Sequence, residues 1–255
     1  CDRVSNGRRT QLGLMVEVIG HRGASSEAPE NTLAANRLAF QQSADGIEVD
    51  VRLTKDQKLV CMHDKNTLRT AGQELVIKET TLKKLKSLDV GLWKGEKWKG
   101  ETIPTLEDVL EEIPRDKKIF IEIKTGTESI DPLIEDIQKS KIDSNCITVI
   151  SFNKEVVKEV KQSMESLNVN LLIAFSSPKE VSNEEVLQTL TEFKLDGVGA
   201  ENHSRLSHAF VAPILEANKK VHVWTVDDIE QAKVYKELGL SSITTNVPQL
   251  IRSAL

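Results

Sequence analysis

Apolar and polar residues follow two alternating patterns along the chain. Short runs rich in β-branched residues, such as VEVIG at 16–20 and KKIFIEIK at 117–124, precede longer stretches whose apolar residues recur every three or four positions. The short runs predict buried strands and the longer stretches predict amphipathic helices. If GIEVDVRL at 46–53 and KLVCMH at 58–63 are taken as one bent strand region, the chain contains eight strand–helix units.

Eight alternating units indicate parallel strands joined by helical crossovers, and this number fits a closed barrel better than an open sheet. We therefore predict an α/β fold, a single TIM (β/α)8 barrel over residues 16–255, after a flexible N-terminal lead-in at 1–15. Residues 64–104 interrupt the alternation with turns, a helical run around residues 80–88 and two Trp. Because long unstructured loops are uncommon in compact domains, we predict a small insertion after the second strand region, packed over the barrel mouth.

Composition narrows the classes of partner. The net charge of −5 gives no general attraction to nucleic acid, and three separated cysteines predict neither a disulfide framework nor a zinc site. The sequence contains no run long and apolar enough for a transmembrane segment, so we expect a cytoplasmic protein. The alternative is a lipid-anchored or exported protein, if Cys1 is a processed lipoprotein terminus. Oligomeric state is left open.

Three acidic side chains are predicted to point into the barrel. Glu48 and Asp50 share one face of GIEVDVRL, opposite its apolar face, and Glu122 has the same orientation in IFIEIK, with Lys124 beyond it. An inner face of a parallel barrel cannot send carboxylates to bulk water, except near the open ends. Buried carboxylates without a partner are costly, so positive charge is expected beside them.

Two histidines are predicted at the same end of the barrel. His21 directly follows VEVIG and His63 ends KLVCMH, at the carboxyl ends of strands, where barrel active sites lie. Three carboxylates without cysteine suit one hard divalent cation, Mg²⁺ or Ca²⁺, with Mn²⁺ possible. Arg22 and Lys124 offer cationic donors to a phosphate, and two imidazoles can exchange protons near neutral pH. These groups are the ones that phosphodiester cleavage requires.

Six stretches together resemble the glycerophosphodiester phosphodiesterase family. They are HRGASSEAPENT at 21–32, ADGIEVDVRLTKDQKLVCMHD at 44–64, IPTLEDVL at 103–110, IEIK at 121–124, VHVWTV at 221–226 and SSITTNVP at 241–248. The resemblance runs from about residue 19 to the C-terminus. It implies a TIM barrel with a small insertion after the second strand, and metal-dependent hydrolysis of glycerophosphodiesters to sn-glycerol 3-phosphate and an alcohol.

The resemblance also implies roles for individual residues. His21 and His63 would be the general acid/base pair, and Glu48, Asp50 and Glu122 would bind the metal ion. The implied mechanism uses the metal to lower the pKa of the glycerol 2-hydroxyl, which attacks phosphorus while one histidine protonates the leaving alcohol. Water then opens the cyclic phosphate.

The remaining implied roles concern the substrate and the surroundings of the metal. Arg22 and Lys124 would hold the phosphate, and Trp224 would line the glycerol side. Glu30 and Asn31 would lie near the metal ligands as a second shell.

Two alternative functions remain open at this point. A lysophospholipase D or sphingomyelinase D-like phosphodiesterase would share the barrel, the histidines and the acids, with a lysolipid as substrate. A noncatalytic phosphate-binding barrel is the alternative of another class, although it would not need both histidines. The sequence does not select the leaving-group alcohol or the cation.

Several polar features are expected to lie outside the site. We expect His203 and His208 to face solvent, His222 to be packed in the core and Asn246 to have a turn role. The lysine-rich stretch 83–99 is interpreted as a solvated face that can also meet a lipid headgroup.

Overall fold

A closed parallel barrel forms the centre of the protein. The computed structural model describes residues 15–178 and 181–255. The strands in this part of the chain are β1 (Glu17–His21), β2 (Gly46–Leu53), β3 (Leu59–Cys61), β4 (Lys118–Ile123), β5 (Ile147–Ser151), β6 (Asn168–Ile173), β7 (Gly197–Glu201), β8 (Lys220–Trp224) and β9 (Ser242–Thr245). All except β3 pair in parallel with both neighbours, and β1 closes the barrel by pairing with β2 and β9. The predicted TIM barrel is confirmed. Residues 1–14, which include Cys1 and nearly all of the predicted lead-in, lie outside the described residues.

Helices surround the barrel. They are α1 (Leu33–Gln41), α2 (Leu68–Ala71), α3 (Leu82–Leu85), α4 (Leu106–Glu112), α5 (Ile130–Lys139), α6 (Lys154–Ser163), α7 (Asn183–Glu192), α8 (His208–Glu216), α9 (Ile229–Glu237) and α10 (Pro248–Ala254). Side chains cap several of them: the Thr32 hydroxyl accepts from the backbone of α1, and Thr105 and Asp108 form a capping box on α4. Among the described residues, none of the helices has the length and apolar character needed to span a bilayer.

The two faces of each barrel strand are buried in different surroundings. Alternate residues of β2 and β4, such as Val49 and Ile121, belong to the large core between the strands and the helices. The opposite faces point into the barrel, where Ile19, Phe120 and Ile150 belong to a smaller apolar cluster. Residues of both faces are therefore buried, as expected for parallel strands covered by helices.

The chain after β2 turns back as a hairpin, so our prediction of one bent strand over 46–63 was wrong. β3 pairs antiparallel with β2 and lies outside the barrel. The turn is closed by a hydrogen bond from Thr54 N to Lys58 O (2.9 Å), and Gln57 adopts a left-handed conformation with φ 59°. The returning chain runs beside β2, where Met62 N donates to Asp50 O (2.9 Å). This return brings residue 63 back to the level of Glu48 and Asp50, in the middle of β2.

Residues 64–104 form a compact stretch of short helical turns with a core of its own. This third apolar cluster, to which β3 and Met62 also contribute, consists of Val60, Met62, Ile77, Leu85, Leu88, Val90 and Ile103. Two side chains of the stretch donate hydrogen bonds to backbone carbonyls of the loop between β1 and α1: Lys94 Nζ to Ser25 O (2.7 Å), and Trp98 Nε1 to Glu27 O (3.1 Å). The stretch is therefore packed beside the carboxyl end of β1.

His222 of β8 is a buried imidazole inside the barrel. It is 1% exposed, its Nδ1 lies 3.2 Å from Asn170 Nδ2, and its ring contacts Phe120 edge-on. Burial lowers the pKa of His222 to about 3. Between pH 6.5 and pH 3 the imidazole therefore binds a proton in the unfolded chain, where its pKa is near 6.5, but not in the folded one. The free energy of unfolding is thus highest above pH 6.5 and decreases as the pH falls toward 3.

This difference predicts that His222 makes folding acid-sensitive. Between pH 7 and pH 5 the wild-type chain is expected to lose about 2 kcal/mol more free energy of unfolding than His222→Gln does, because glutamine does not titrate. Urea denaturation at the two pH values measures the difference. His208→Gln, at an exposed position of α8, is the matched control and should follow the wild type.

Candidate active site

Side chains at the carboxyl-terminal end of the barrel line one pocket. Its volume is about 310 Å³, and its lining consists of His21, Arg22, Glu48, His63, Glu122, Lys124, Ile150, Phe152, Leu172, His222, Trp224, Thr225 and Thr244. The charged lining comes from the first part of the chain, up to β4, and most of the apolar lining comes from β5 onwards. The pocket therefore has a charged half and a largely apolar half.

Three carboxylates lie together in the charged half. Glu48 and Asp50 alternate with apolar residues on β2, and Asp50 is the register partner of Glu122 on β4. One oxygen from each of the three lies within 4.8 Å of the others. Glu48 is 3% exposed and Asp50 is fully buried. The spacing along one strand and the register between two strands thus bring together the three acids predicted to bind a metal ion.

The electrostatics of the cluster fit a cation. Burial, together with the charges of Asp50 and Glu122, raises the pKa of Glu48 well above its ordinary value, and burial with Asp50 raises that of Glu122 to about 7. Burial also opposes ionisation of Asp50, but Arg22 and Lys124 outweigh it and hold its pKa below the usual value. Glu48 Oε1 and Asp50 Oδ1 are buried and accept no hydrogen bond from the described part of the chain. Carboxylate oxygens left in this state suit a hard divalent cation.

Arg22 lies against the acids because of an unusual turn after β1. Its φ is 55°, and the following Gly23 has φ 82° with no space for a side chain, since a Cβ there would lie 2.4 Å from the Ala35 carbonyl carbon. In this turn Arg22 N donates to Glu48 Oε2 (3.1 Å), and Arg22 Nε lies 2.9 Å from Asp50 Oδ2. The HRG stretch therefore aims a guanidinium into the pocket.

Lys124 and Asn31 complete the surroundings of the acids. Lys124 Nζ donates to Glu122 Oε1 (2.8 Å) and lies 3.7 Å from Asp50 Oδ1. Asn31 Nδ2 donates to Asp50 Oδ2 (3.0 Å), and Asn31 Oδ1 accepts from Asp50 N (3.1 Å). Asn31 therefore fixes the Asp50 carboxylate in orientation.

Hydrogen bonds define the tautomer of His21. Its Nδ1 lies 2.7 Å from Asn246 Oδ1, while the Asn246 amide group donates to Asp227 Oδ2 (2.7 Å). Asn246 thus presents an acceptor, so His21 Nδ1 carries the proton and Nε2 has its lone pair free. Nε2 lies 3.9 Å from Glu48 Oε2. Burial, and next the Arg22 charge, lower the pKa of His21, which favours this neutral form.

His63 has a different partner. Its Nδ1 lies 2.8 Å from Asp64 Oδ1, and its carbonyl oxygen accepts from Arg52 Nε (2.9 Å) and Nη2 (2.6 Å). A hydrogen bond from Arg69, supported by one from His63, holds the pKa of Asp64 at about 2. Asp64 is therefore a carboxylate, which accepts the Nδ1 proton of His63 and fixes the orientation of the ring.

Arg69 on α2 connects the partner of His63 with the residues that surround the acid cluster. Its Nε donates to Asp64 Oδ2 (2.7 Å), and its two terminal nitrogens donate to Glu30 Oε1 and Oε2 (2.7 and 2.9 Å). Glu30 Oε1 in turn accepts from Arg22 Nη1 (3.1 Å). Glu30, expected near the metal ligands, thus lies between two arginines. Sequence reasoning missed Asp64 and Arg69 as positioning residues.

These contacts predict that Arg69 supports turnover without touching the pocket. Arg69→Ala is expected to lower kcat about 10- to 100-fold, with little change in KM, because small shifts of Asp64 and Glu30 misplace His63 and Arg22. Arg69→Lys should recover only part of the activity, since lysine cannot make the bidentate contact. The control is Arg37→Ala, which breaks an exposed ion pair between Arg37 on α1 and Glu112 on α4. An equal loss in both variants would show a general effect of stability.

The apolar half of the pocket is built around two aromatic rings. Trp224 packs edge-on against Phe152 at 5.6 Å between centroids, and its Nε1 donates to Gly199 O (3.2 Å). Phe152 remains 47% exposed at the mouth, and Ile150 and Leu172 continue the surface inward. Sequence reasoning placed Trp224 in this position but did not assign Phe152, whose only signal was its location directly after β5.

The barrel, with three acids and two imidazoles in one pocket, places the protein in the class of hydrolases that are built on a barrel. The model of the Glycerophosphoryl diester phosphodiesterase family matches residues 21–250, which is most of the chain. The chain belongs to this family, and the resemblance predicted from the sequence is confirmed.

Individual relatives agree with the family assignment. A glycerophosphodiester phosphodiesterase of Caldanaerobacter subterraneus subsp. tengcongensis is 34% identical over 244 residues, which cover 92% of this chain and 95% of that protein. The structure of an Oleispira antarctica phosphodiesterase, in complex with the product sn-glycerol-3-phosphate, superposes with a TM-score of 0.85 at 31% identity, covering 93% of this chain and 96% of that one. A glycerophosphodiester phosphodiesterase of Thermotoga maritima superposes with a TM-score of 0.78 at 27% identity, covering 94% and 99%. The protein is thus a hydrolase of the phosphodiesterase type.

Proposed function

We propose that the protein hydrolyses glycerophosphodiesters to sn-glycerol 3-phosphate and an alcohol, by histidine acid/base catalysis with one divalent cation. The observation that carries the proposal is the pair of imidazoles in one pocket, with His21 bonded to a neutral acceptor and His63 to a carboxylate. The product bound to the Oleispira antarctica relative supports glycerol 3-phosphate as the product here.

Glu48, Asp50 and Glu122 would hold the cation, which we propose to be Mg²⁺ or Ca²⁺, with Mn²⁺ as a further candidate. When bound, the cation would supply Lewis-acid stabilisation of negative charge on the phosphoryl group. Its charge would also offset the repulsion among the three carboxylates.

The remaining side chains would bind the substrate. Arg22 and Lys124 present cationic donors at the edge of the acid cluster and would orient the phosphate. Trp224 and Phe152 would cover the carbon backbone of the glycerol and exclude water from it. The charged and apolar halves of the pocket thus match the two parts of a glycerophosphodiester.

The hydrogen bonds of the two histidines support different roles for them. His21 Nε2, with its lone pair free, would accept the proton of the attacking hydroxyl as the general base. His63, with its Nδ1 bonded to Asp64, would donate the proton on its Nε2 to the oxygen of the leaving alcohol. This transfer would occur as the bond between that oxygen and phosphorus breaks. If the attacking hydroxyl belongs to glycerol, the two roles reverse when water opens the cyclic phosphate, so the proton count is restored.

We also propose that residues 16–255 act as one catalytic domain, with residues 64–104 as a small insertion at the barrel mouth. The contacts of this insertion to the β1–α1 loop support this interpretation.

The apolar half of the pocket, with Phe152 exposed at the mouth, favours lysophospholipids as a second class of substrate.

Release of glycerol 3-phosphate from a panel of glycerophosphodiesters, with a lysophosphatidylcholine included, tests the proposal. The chain is first treated with chelator, and Mg²⁺, Ca²⁺ and Mn²⁺ are then added back separately. Cation-dependent release of glycerol 3-phosphate is the expected result. Choline release from the lysolipid alone would select the second substrate class, and no release from any member with a cation bound would favour a noncatalytic phosphate-binding barrel.

A further inference from the structure

Three large apolar side chains are exposed beside the mouth of the pocket. Leu68 is 51% exposed, and Leu92 and Trp93 are each 43% exposed. The short helix α2, which contains Leu68, packs beside the helical turn at 92–94. We define the rim patch as these three residues together with the exposed lysines that flank them in the sequence, Lys65, Lys97 and Lys99. Exposed apolar side chains grouped in this way mark a contact surface more often than isolated ones do.

The rim patch is fixed at the active-site end of the barrel. The same stretch of chain donates hydrogen bonds from Lys94 and Trp98 to Ser25 O and Glu27 O in the β1–α1 loop, which also contains Arg22. Leu68 is adjacent to Arg69, whose contacts lead to Asp64 and Glu30. A surface that binds the rim patch would therefore lie beside the mouth of the pocket.

The charge of the stretch is opposite to that of the whole protein. Residues 64–104 contain nine Lys and Arg and six Asp and Glu, although the chain carries a net charge of −5. Arg69 is paired with Asp64, so the remaining excess of positive charge in the stretch is carried by lysines. Within the described part of the chain, Lys65, Lys97 and Lys99 form no ion pair, so their positive charge is available to an anionic partner.

The aromatic residues of the stretch suit a lipid interface. Two of the three Trp in the chain lie within WKGEKW at 93–98. Trp93 Nε1 is satisfied by Val90 O (2.9 Å), and lysine ammonium groups lie 5.5 Å from the Trp93 ring and 4.8 Å from the Trp98 ring. Trp combined with Leu and Lys is the composition that binds the boundary between headgroups and acyl chains.

We propose that the rim patch docks the enzyme on an anionic lipid surface, with Leu92 and Trp93 inserted at the headgroup level and the lysines on the headgroup phosphates. The mixture favours lipid because three apolar side chains project among the lysines, and at an anionic lipid surface apolar insertion adds to the electrostatic attraction. Docking would place the pocket next to substrates that come from the membrane. It is separate from the hydrolysis proposed above, since it needs no substrate.

Co-sedimentation of the full chain with vesicles tests the docking. Vesicles of phosphatidylcholine with about 30 mol% phosphatidylglycerol are compared with pure phosphatidylcholine, at about 50 mM and about 500 mM salt. The expected result is binding to the anionic vesicles that weakens at high salt, with quenching of tryptophan fluorescence by brominated acyl chains. Trp93→Phe should lose most of this quenching.

Paired variants separate docking from general stickiness. Leu92→Ser combined with Trp93→Ser is expected to weaken vesicle binding at least about tenfold. The matched control is Val234→Ser combined with Leu250→Ser, which removes two similarly exposed apolar side chains from α9 and α10. Hydrolysis of a soluble glycerophosphodiester, or circular dichroism if none is cleaved, checks that both variants are folded.

Three outcomes would overturn the docking. The first is no binding of the wild-type chain to anionic vesicles. The second is an equal loss in the rim and control variants, which would show nonspecific adhesion. The third is binding to an acidic polypeptide such as polyglutamate but not to vesicles, which would assign the rim patch to a protein partner.

Discussion

Replacing His63 with alanine is expected to lower kcat for a glycerophosphodiester with an alkyl leaving group about 1,000-fold, while cation binding remains intact. An alkoxide is a poor leaving group, so the reaction depends on the proton that His63 would donate, and general acid catalysis contributes about 10²- to 10⁴-fold. His63 does not belong to the acid cluster, so the cation affinity measured by calorimetry should change little. His208→Ala, at an exposed histidine, is the control for activity.

The leaving group distinguishes His63 from His21. With a p-nitrophenyl ester of glycerol phosphate, whose leaving group needs no proton, His63→Ala should recover most of the lost rate of the first step, measured as the initial burst of p-nitrophenol. His21→Ala should remain equally slow on both substrates, because activation of the attacking hydroxyl is still required. The reverse pattern would exchange the roles of the two histidines, and normal turnover in both variants would exclude acid/base catalysis by this pair.

The strand–helix alternation was sufficient to predict the barrel, because buried parallel strands and amphipathic helices leave different periodicities in the sequence. It was also sufficient to bring Glu48, Asp50 and Glu122 to one place, since alternation along a strand determines which side chains point inward. These predictions depend on local geometry, which a single segment of sequence contains.

The hairpin after β2 was missed because periodicity reports the faces of a strand and not its direction. LVC at 59–61 reads equally well as a continuation of β2 or as a return, and the left-handed Gln57 that decides between them has no strong signal in TKDQK. The consequence is functional. His63 reaches the pocket because the chain comes back along β2, and not because it ends a barrel strand.

The positioning residues could not be predicted because their partners are distant in sequence. Asn246 bonds His21 across 225 positions, and Arg69 bonds Glu30 across 39. Each of these residues has an ordinary local explanation, a turn for Asn246 and a solvated helix position for Arg69. Only the closed barrel and the packing of residues 64–104 against the β1–α1 loop bring the partners together.

The acid cluster predicts opposite effects of two similar substitutions on the cation-free protein. Glu48→Gln is expected to raise the midpoint of thermal unfolding in chelator, because it removes a carboxyl group whose ionisation is opposed by burial and by the charges of Asp50 and Glu122. Asp50→Asn is expected to lower the free energy of unfolding by about 3 kcal/mol, because Arg22 loses a buried partner. Differential scanning calorimetry in chelator measures both changes, with Glu159→Gln on α6 as the exposed control.

Adding cation should then reverse the order of the wild type and Glu48→Gln. The wild-type chain is expected to gain about 2.7 kcal/mol at a cation concentration 100-fold above Kd, whereas both variants should gain much less, because each lacks one carboxylate of the cluster. Glu48→Gln would thus be more stable than the wild type without cation, less responsive to it and nearly inactive. Equal stabilisation of wild type and both variants by cation would show that the ion binds elsewhere. A stability gained at the expense of activity is the pattern expected where the fold holds like charges together in order to bind a cation.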